Sequence, residues 1–133
     1  MDDMYREVIL EHYKNPGYRG ELDPADITFE DNNPLCGDHL RIDLRLDAEN
    51  KVKEAAFSGH GCAISQASAD LLLESIIGKD LDEVKKLSKQ DILDLIGIDL
   101  GPVRLKCALL SLKVVKSGAY GIHPGESVDL ELD

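Results

Sequence analysis

The chain has 133 residues, 43% of them apolar and 31% charged, which suits one ordinary domain spanning residues 1–133 and excludes a disordered or collagen-like polymer. Its formal net charge of -11 repels phosphate backbones and anionic bilayers, so nucleic acid and membrane surfaces are not expected partners. No purely apolar run exceeds four residues, far short of the roughly 20 residues a membrane span requires. The N-terminus has neither the basic start and apolar stretch of a secretory signal nor an Arg-rich transit pattern, and cytoplasmic residence is expected. Residues 84–116 carry a local charge of +4, which a solvated helical face explains and an acidic protein partner would also fit.

In chain order, Asp2 and Asp3 can cap a first helix whose apolar residues Tyr5, Val8, Ile9 and Tyr13 fall near helical spacing, and Asn15-Pro16-Gly17 stops it. A loop follows, then residues 26–31 read as a strand. Leu40, Ile42, Leu44 and Leu46 alternate with Arg41, Asp43, Arg45 and Asp47, the period of a strand with one buried and one wet face. Residues 47–50 are turn material, and residues 51–58 complete a hairpin. Residues 62–77 change to helical spacing and end at Gly78. Residues 81–87 and 90–96 read as short helices separated by Ser88. Pro102 opens a long last helix with its apolar face over residues 103–115, and Gly118 is expected to end it. Residues 121–133 form an acidic tail, either flexible or an added edge strand. The predicted class is α+β, a small three-stranded antiparallel sheet packed against several helices.

Three cysteines, Cys36, Cys62 and Cys107, lie 26 and 45 positions apart, so no Cys-x-x-Cys ribbon exists, and reducing conditions would keep them as thiols. Three scattered thiols are commonly small buried apolar residues, but the surroundings argue otherwise. Cys36 lies in the tight loop Asn33-Pro34-Leu35-Cys36-Gly37-Asp38. Cys62 follows Ser58-Gly59-His60-Gly61 at a strand-to-helix junction. Cys107 follows Lys106 near the start of the last helix. Thiolates select zinc, copper(I) or iron-sulfur clusters, and four donors complete a tetrahedral ion or the terminal positions of a 2Fe-2S unit. Asp38, two residues after Cys36, is the natural fourth donor, with a loop-capping carboxylate as its ordinary alternative. His60 and His39 are reserve ligands. A carboxylate holds soft iron less tightly than a thiolate, so three sulfurs and one oxygen suit a site that gives its contents away.

These motifs resemble the IscU/SufU/NifU-type scaffold proteins of iron-sulfur cluster biogenesis. The likeness runs from Glu11-His12-Tyr13-Lys14-Asn15-Pro16, through the Cys36 loop and Gly59-His60-Gly61-Cys62-Ala63-Ile64-Ser65, to Pro102-Val103-Arg104-Leu105-Lys106-Cys107. The resemblance implies an α+β sandwich and the ligand set Cys36, Asp38, Cys62 and Cys107. It also implies sulfur received as persulfide from a cysteine desulfurase, an electron donor, and apoproteins that accept the cluster. A monomer or a cluster-bridged homodimer is compatible with it.

The chain departs from both branches of the family. IscU-type members carry His where Lys106 stands. SufU-type members share Gly-Cys-Ala-Ile-Ser but insert extra chain before the third cysteine, and that insertion is missing here. The chaperone-binding Leu-Pro-Pro-Val-Lys of IscU-type members is replaced by Leu100-Gly101-Pro102-Val103-Arg104. Two functions follow: a scaffold that builds a labile 2Fe-2S cluster, or a zinc-bound sulfurtransferase. Zn2+ could occupy the same four ligands in either. A persulfide acceptor should be a thiolate near positive charge, which favours Cys107 beside Lys106, with Cys36 as the alternative.

Overall fold

The computed structural model describes residues 2–33, 37–97 and 102–120. The expectations for Cys36 and for the acidic tail at 121–133 therefore lie outside the described residues. The order is α1 (Asp2–Lys14), β1 (Ile27–Asn33), β2 (Asp38–Leu46), β3 (Val52–His60), α2 (Ala63–Ile76), α3 (Leu81–Lys85), α4 (Lys89–Ile96) and α5 (Pro102–Tyr120). The three strands form one antiparallel sheet in the order β1-β2-β3. This is the predicted α+β class. Among the described residues no helix is long and apolar enough to cross a membrane.

Strand alternation sets the layers. Leu40, Ile42 and Leu44 are buried and register with Gly59, Phe57 and Ala55 on one side and with Asp31, Phe29 and Ile27 on the other. That face packs against α5 and α2. Removing a Leu or Ile side chain from water contributes about 1.5–3 kcal/mol, so these rows and the fully buried Leu72, Leu73 and Ile76 of α2 are the main source of stability. Residues 65–73 of α2 are buried without interruption, because the sheet, α5, α4 and α1 all pack against that helix.

The opposite face of the sheet is less wet than the alternation predicts. Asp43 is buried there, because the chain beyond α1 folds over it. Its carboxylate accepts from Leu22 N–H at 3.1 Å, Thr28 Oγ1 at 2.8 Å and Arg41 Nε at 3.1 Å. The same connection lines the outer edge of β3: Phe57 N–H donates to Tyr18 O, and Gly20 N–H donates to Phe57 O. A bare edge strand is thereby covered.

α1 is held on α2 by a long-range polar latch. Asp70, buried on α2, accepts from Tyr18 N–H at 2.9 Å and meets His12 Nδ1 at 2.5 Å. α4 starts as its sequence suggests, with Ser88 and Asp91 forming a reciprocal capping box and Gly97 in the left-handed conformation at its end.

Gly118 does not end the last helix, which continues to Tyr120. A Cβ at position 118 would lie 2.9 Å from Ile27 Cγ2 and 3.4 Å from Phe29 Cβ. The glycine is there to let α5 approach β1, a requirement of packing rather than of capping.

Candidate metal centre

The two glycines before Cys62 act by removing side-chain bulk. Gly59 has φ +124°, and a Cβ on it would drive into the His39 carbonyl oxygen. A Cβ on Gly61 would press on Ser65 Oγ and come to 2.5 Å from Asp38 Oδ1. With neither present, the chain leaves β3, turns tightly over the start of β2, and enters α2 with Cys62 as the N-cap residue.

Cys62 makes no side-chain cap hydrogen bond, and its free thiol is exposed. A sulfur anion at that position sits at the positive end of the helix. The backbone around it is fixed: Cys62 N–H donates to Asp38 Oδ1 at 3.1 Å, while Cys62 O accepts from Ser65 Oγ at 3.0 Å and from Gln66 N–H at 3.1 Å.

Asp38 opens β2 in phase with Leu40, so strand alternation turns its side chain to the packed face, and it is 2% exposed. One carboxylate oxygen serves Cys62 N–H. The other, Oδ2, is buried and has no hydrogen-bond partner among the described residues. A carboxylate oxygen buried without a donor is costly unless a cation meets it.

Cys107 lies on α5 and is also buried. Donor atoms of Asp38, Cys62 and Cys107 all fall within 4.8 Å of one another. Ligand distances of about 2.0–2.3 Å in a tetrahedral site imply donor separations of roughly 3.3–3.8 Å, inside that bound. The chemistry of the set also fits: two sulfurs suit zinc or iron, and the orphaned oxygen is a ready third ligand.

Of the four residues read from sequence as ligands, three are brought together and Cys36 lies outside the described residues. His39 and His60, the reserves, stand apart from this group, because alternation sends His39 to the opposite face from Asp38. Cys107 is disulfide-bonded in this structure, and ligation draws on its reduced form. Lys106 is exposed. The Asp70–His12 latch was missed in sequence, since 58 positions separate its members.

The description of the NifU-like N terminal domain family matches residues 4–123. The chain is 38% identical over 135 aligned positions to the zinc-dependent sulfurtransferase SufU of Bacillus subtilis, covering 89% of this chain and 90% of that protein. It is 36% identical to the iron-sulfur cluster assembly scaffold protein IscU of Thermotoga maritima, covering 85% and 90%. Among solved structures, the SUF-system protein FiSufU of Fervidobacterium islandicum superposes with a TM-score of 0.75 at 29% identity, covering 85% of this chain and 94% of that one.

Proposed function

The chain belongs to the NifU-like N-terminal domain family, and on that premise we propose that it is an iron-sulfur cluster assembly scaffold. It accepts sulfur from a cysteine desulfurase, assembles a labile 2Fe-2S cluster on Cys36, Asp38, Cys62 and Cys107, and passes it to apoproteins. Residues 1–133 act as one such domain in the cytoplasm, with 121–133 as an acidic appendage. An electron donor is required, and the protein works as a monomer or a cluster-bridged homodimer.

The observation that carries this reading is the orphaned, buried Asp38 Oδ2 beside two cysteine sulfurs. A purely structural carboxylate would spend both oxygens on hydrogen bonds. Iron and sulfide are the cargo here, and the protein's own part is to present anionic donors and keep them apart from bulk water. Cys62 supplies the accessible side of the set, and Asp38 and Cys107 the buried side.

Sulfur entry follows thiol exchange: a cysteine thiolate attacks the outer sulfur of the donor's persulfide, forming a new S–S bond and releasing the donor cysteine as thiolate. We assign the acceptor role to Cys107, with Cys36 as the alternative. Because Cys107 is buried, its use requires the site to open toward the donor.

A second reading, a zinc-bound sulfurtransferase, is favoured by the 38% identity to the Bacillus protein of that name. Anaerobic reconstitution of reduced protein with ferrous iron, cysteine, a desulfurase and a thiol reductant as electron source separates the two. Visible charge-transfer bands followed by transfer to an apo-ferredoxin support the scaffold. Retained zinc with a raised desulfurase rate and no visible bands supports the transferase and refutes the scaffold, whereas one sulfur atom of added mass on Cys107 or Cys36 is expected of both.

A further inference from the structure

The turn that carries Cys62 is spanned by a side chain from outside it. Arg19 Nη1 donates to Gln66 Oε1, and Nη2 donates to Gly59 O at 3.0 Å. Gly59 lies near the end of β3, before Cys62 in the chain, and Gln66 lies in the first turn of α2, after it. One planar guanidinium therefore joins the two sides of the junction at which the thiol sits.

The root of this arm is anchored. Arg19 forms a backbone bridge with Phe57, and around that bridge Phe57 N–H donates to Tyr18 O at 2.9 Å while Gly20 N–H donates to Phe57 O at 2.8 Å. The guanidinium carbon lies 5.8 Å from the centroid of the buried Phe57 ring, within the range of a cation–π contact. The far end is equally constrained. Gln66 is 6% exposed, and its backbone N–H donates to Cys62 O at 3.1 Å. A side-chain oxygen so placed needs a donor, and Arg19 supplies it. Both acceptors of the fork are neutral, and Arg19 has no carboxylate partner among the described residues. A planar fork reaches two separate oxygens in fixed directions, which a Lys ammonium does not reproduce.

We propose that Arg19 is a positioning residue for Cys62, stapling β3 to α2 so that the sulfur stays in register with Asp38 and Cys107. Metal donors have to be held within about 0.5 Å of their working places. The donor atoms of those three residues lie within 4.8 Å of one another. Cys62 makes no side-chain cap hydrogen bond, so its sulfur is placed by its backbone. Asp38 Oδ1 restrains that backbone at Cys62 N–H, and Arg19 restrains it from both flanks. The role rests on the assignment of Cys62 to the cargo pocket.

The charge of Arg19 pulls the other way. Arg19 and Lys14 line a cleft of about 360 Å³ together with His60 and Gly61, and positive charge there opposes a cation on Cys62. Removing Arg19 would tighten metal binding if charge were its contribution, and loosens it if position is. The sign of the effect therefore separates the two.

The test uses reduced, full-length protein, with Zn2+ affinity measured by competition against a chromophoric chelator and Co2+ used in parallel to read thiolate charge-transfer bands. Arg19→Met keeps the length of the arm and removes the fork. Arg19 is exposed, so this replacement opens no buried cavity. It is expected to weaken Zn2+ binding about tenfold, the lower end of the loss found for groups that orient ligands. Arg19→Lys keeps the charge and should still bind more weakly than the parent. Gln66→Met removes the far acceptor, and should add little to Arg19→Met in the double variant because both break one link. In metal-free protein, amide exchange at Cys62 and Gln66 is expected to accelerate in Arg19→Met while β1 and β2 keep the parent's rates. Affinity equal to or tighter than the parent's in Arg19→Met, full affinity in Arg19→Lys, losses that multiply in the double variant, or exchange accelerated equally throughout the sheet would each overturn the role. Cys62→Ser tests the premise separately. Sulfur bands unchanged in that variant would remove Cys62 from the pocket and refute the reading on which the role rests, whereas weakened bands beside a parent-like Arg19→Met refute the role alone.

Discussion

Replacing Asp38 by Ala separates a structural carboxylate from a ligand. In the metal-free protein the substitution removes the bond from Cys62 N–H, and a hydrogen bond to a charged group contributes about 1.5–3 kcal/mol. It also removes a buried oxygen without a partner, whose desolvation costs about 1–3 kcal/mol or more. Cys62 is exposed, so water takes over its N–H. The two terms oppose each other, and reduced, metal-free Asp38→Ala should unfold within about 1 kcal/mol of the parent. The loaded protein behaves differently. Zinc at about 100 times Kd stabilises the parent by about 2.7 kcal/mol, whereas a hundredfold loss of affinity leaves about 0.4 kcal/mol at the same concentration. At about 3–5 °C per kcal/mol for a chain of this size, the zinc-induced rise in Tm falls from about 10 °C to under about 2 °C. Calorimetry of both forms with and without zinc measures all four values. An apo variant destabilised by more than about 3 kcal/mol, or a zinc-induced rise equal to the parent's, would refute the argument that this oxygen is kept for a metal.

Asp38→Cys, which supplies a further thiolate, should lengthen the lifetime of the reconstituted cluster, read as decay of its visible bands under argon; an unchanged rate removes Asp38 from the ligand set. Gly118→Leu must push α5 off Ile27 and Phe29 and should cost about 2–3 kcal/mol in urea unfolding, while a neutral result would mean that the helix does not approach β1 so closely. Asp70→Ala releases α1 and the Tyr18 segment, and is expected to accelerate amide exchange in residues 7–20 ahead of the sheet; uniform acceleration throughout would argue against a local latch. Asp47 is held below its ordinary value of 3.8 by the backbone N–H groups of Lys51 and Glu49. Its stabilisation is present above pH 3.8 and lost as pH falls through the lower folded value, so parent and Asp47→Asn should differ at pH 7 and draw together as the pH is taken below 3.8.

Much of the fold was legible because local rules and packing agree. Leu40, Ile42 and Leu44 specify a strand with one core face, and Ser88 with Asp91 specifies a helix start. Extending the β2 alternation two residues backward would also have predicted that Asp38 faces the core and His39 does not. What stayed hidden depends on contacts between distant segments. Gly118 reads as a stop until Ile27 is known to lie against it, and Asp43 reads as solvated until the chain beyond α1 covers it.

The three described donors of the cargo pocket ride on a strand start, a helix start and a separate helix. Shifting α5 against the sheet would therefore dismantle the coordination set in one motion instead of ligand by ligand. On the proposed function, unloading would then be a mechanical event, triggered by a recipient that grips the helix before it touches the cargo.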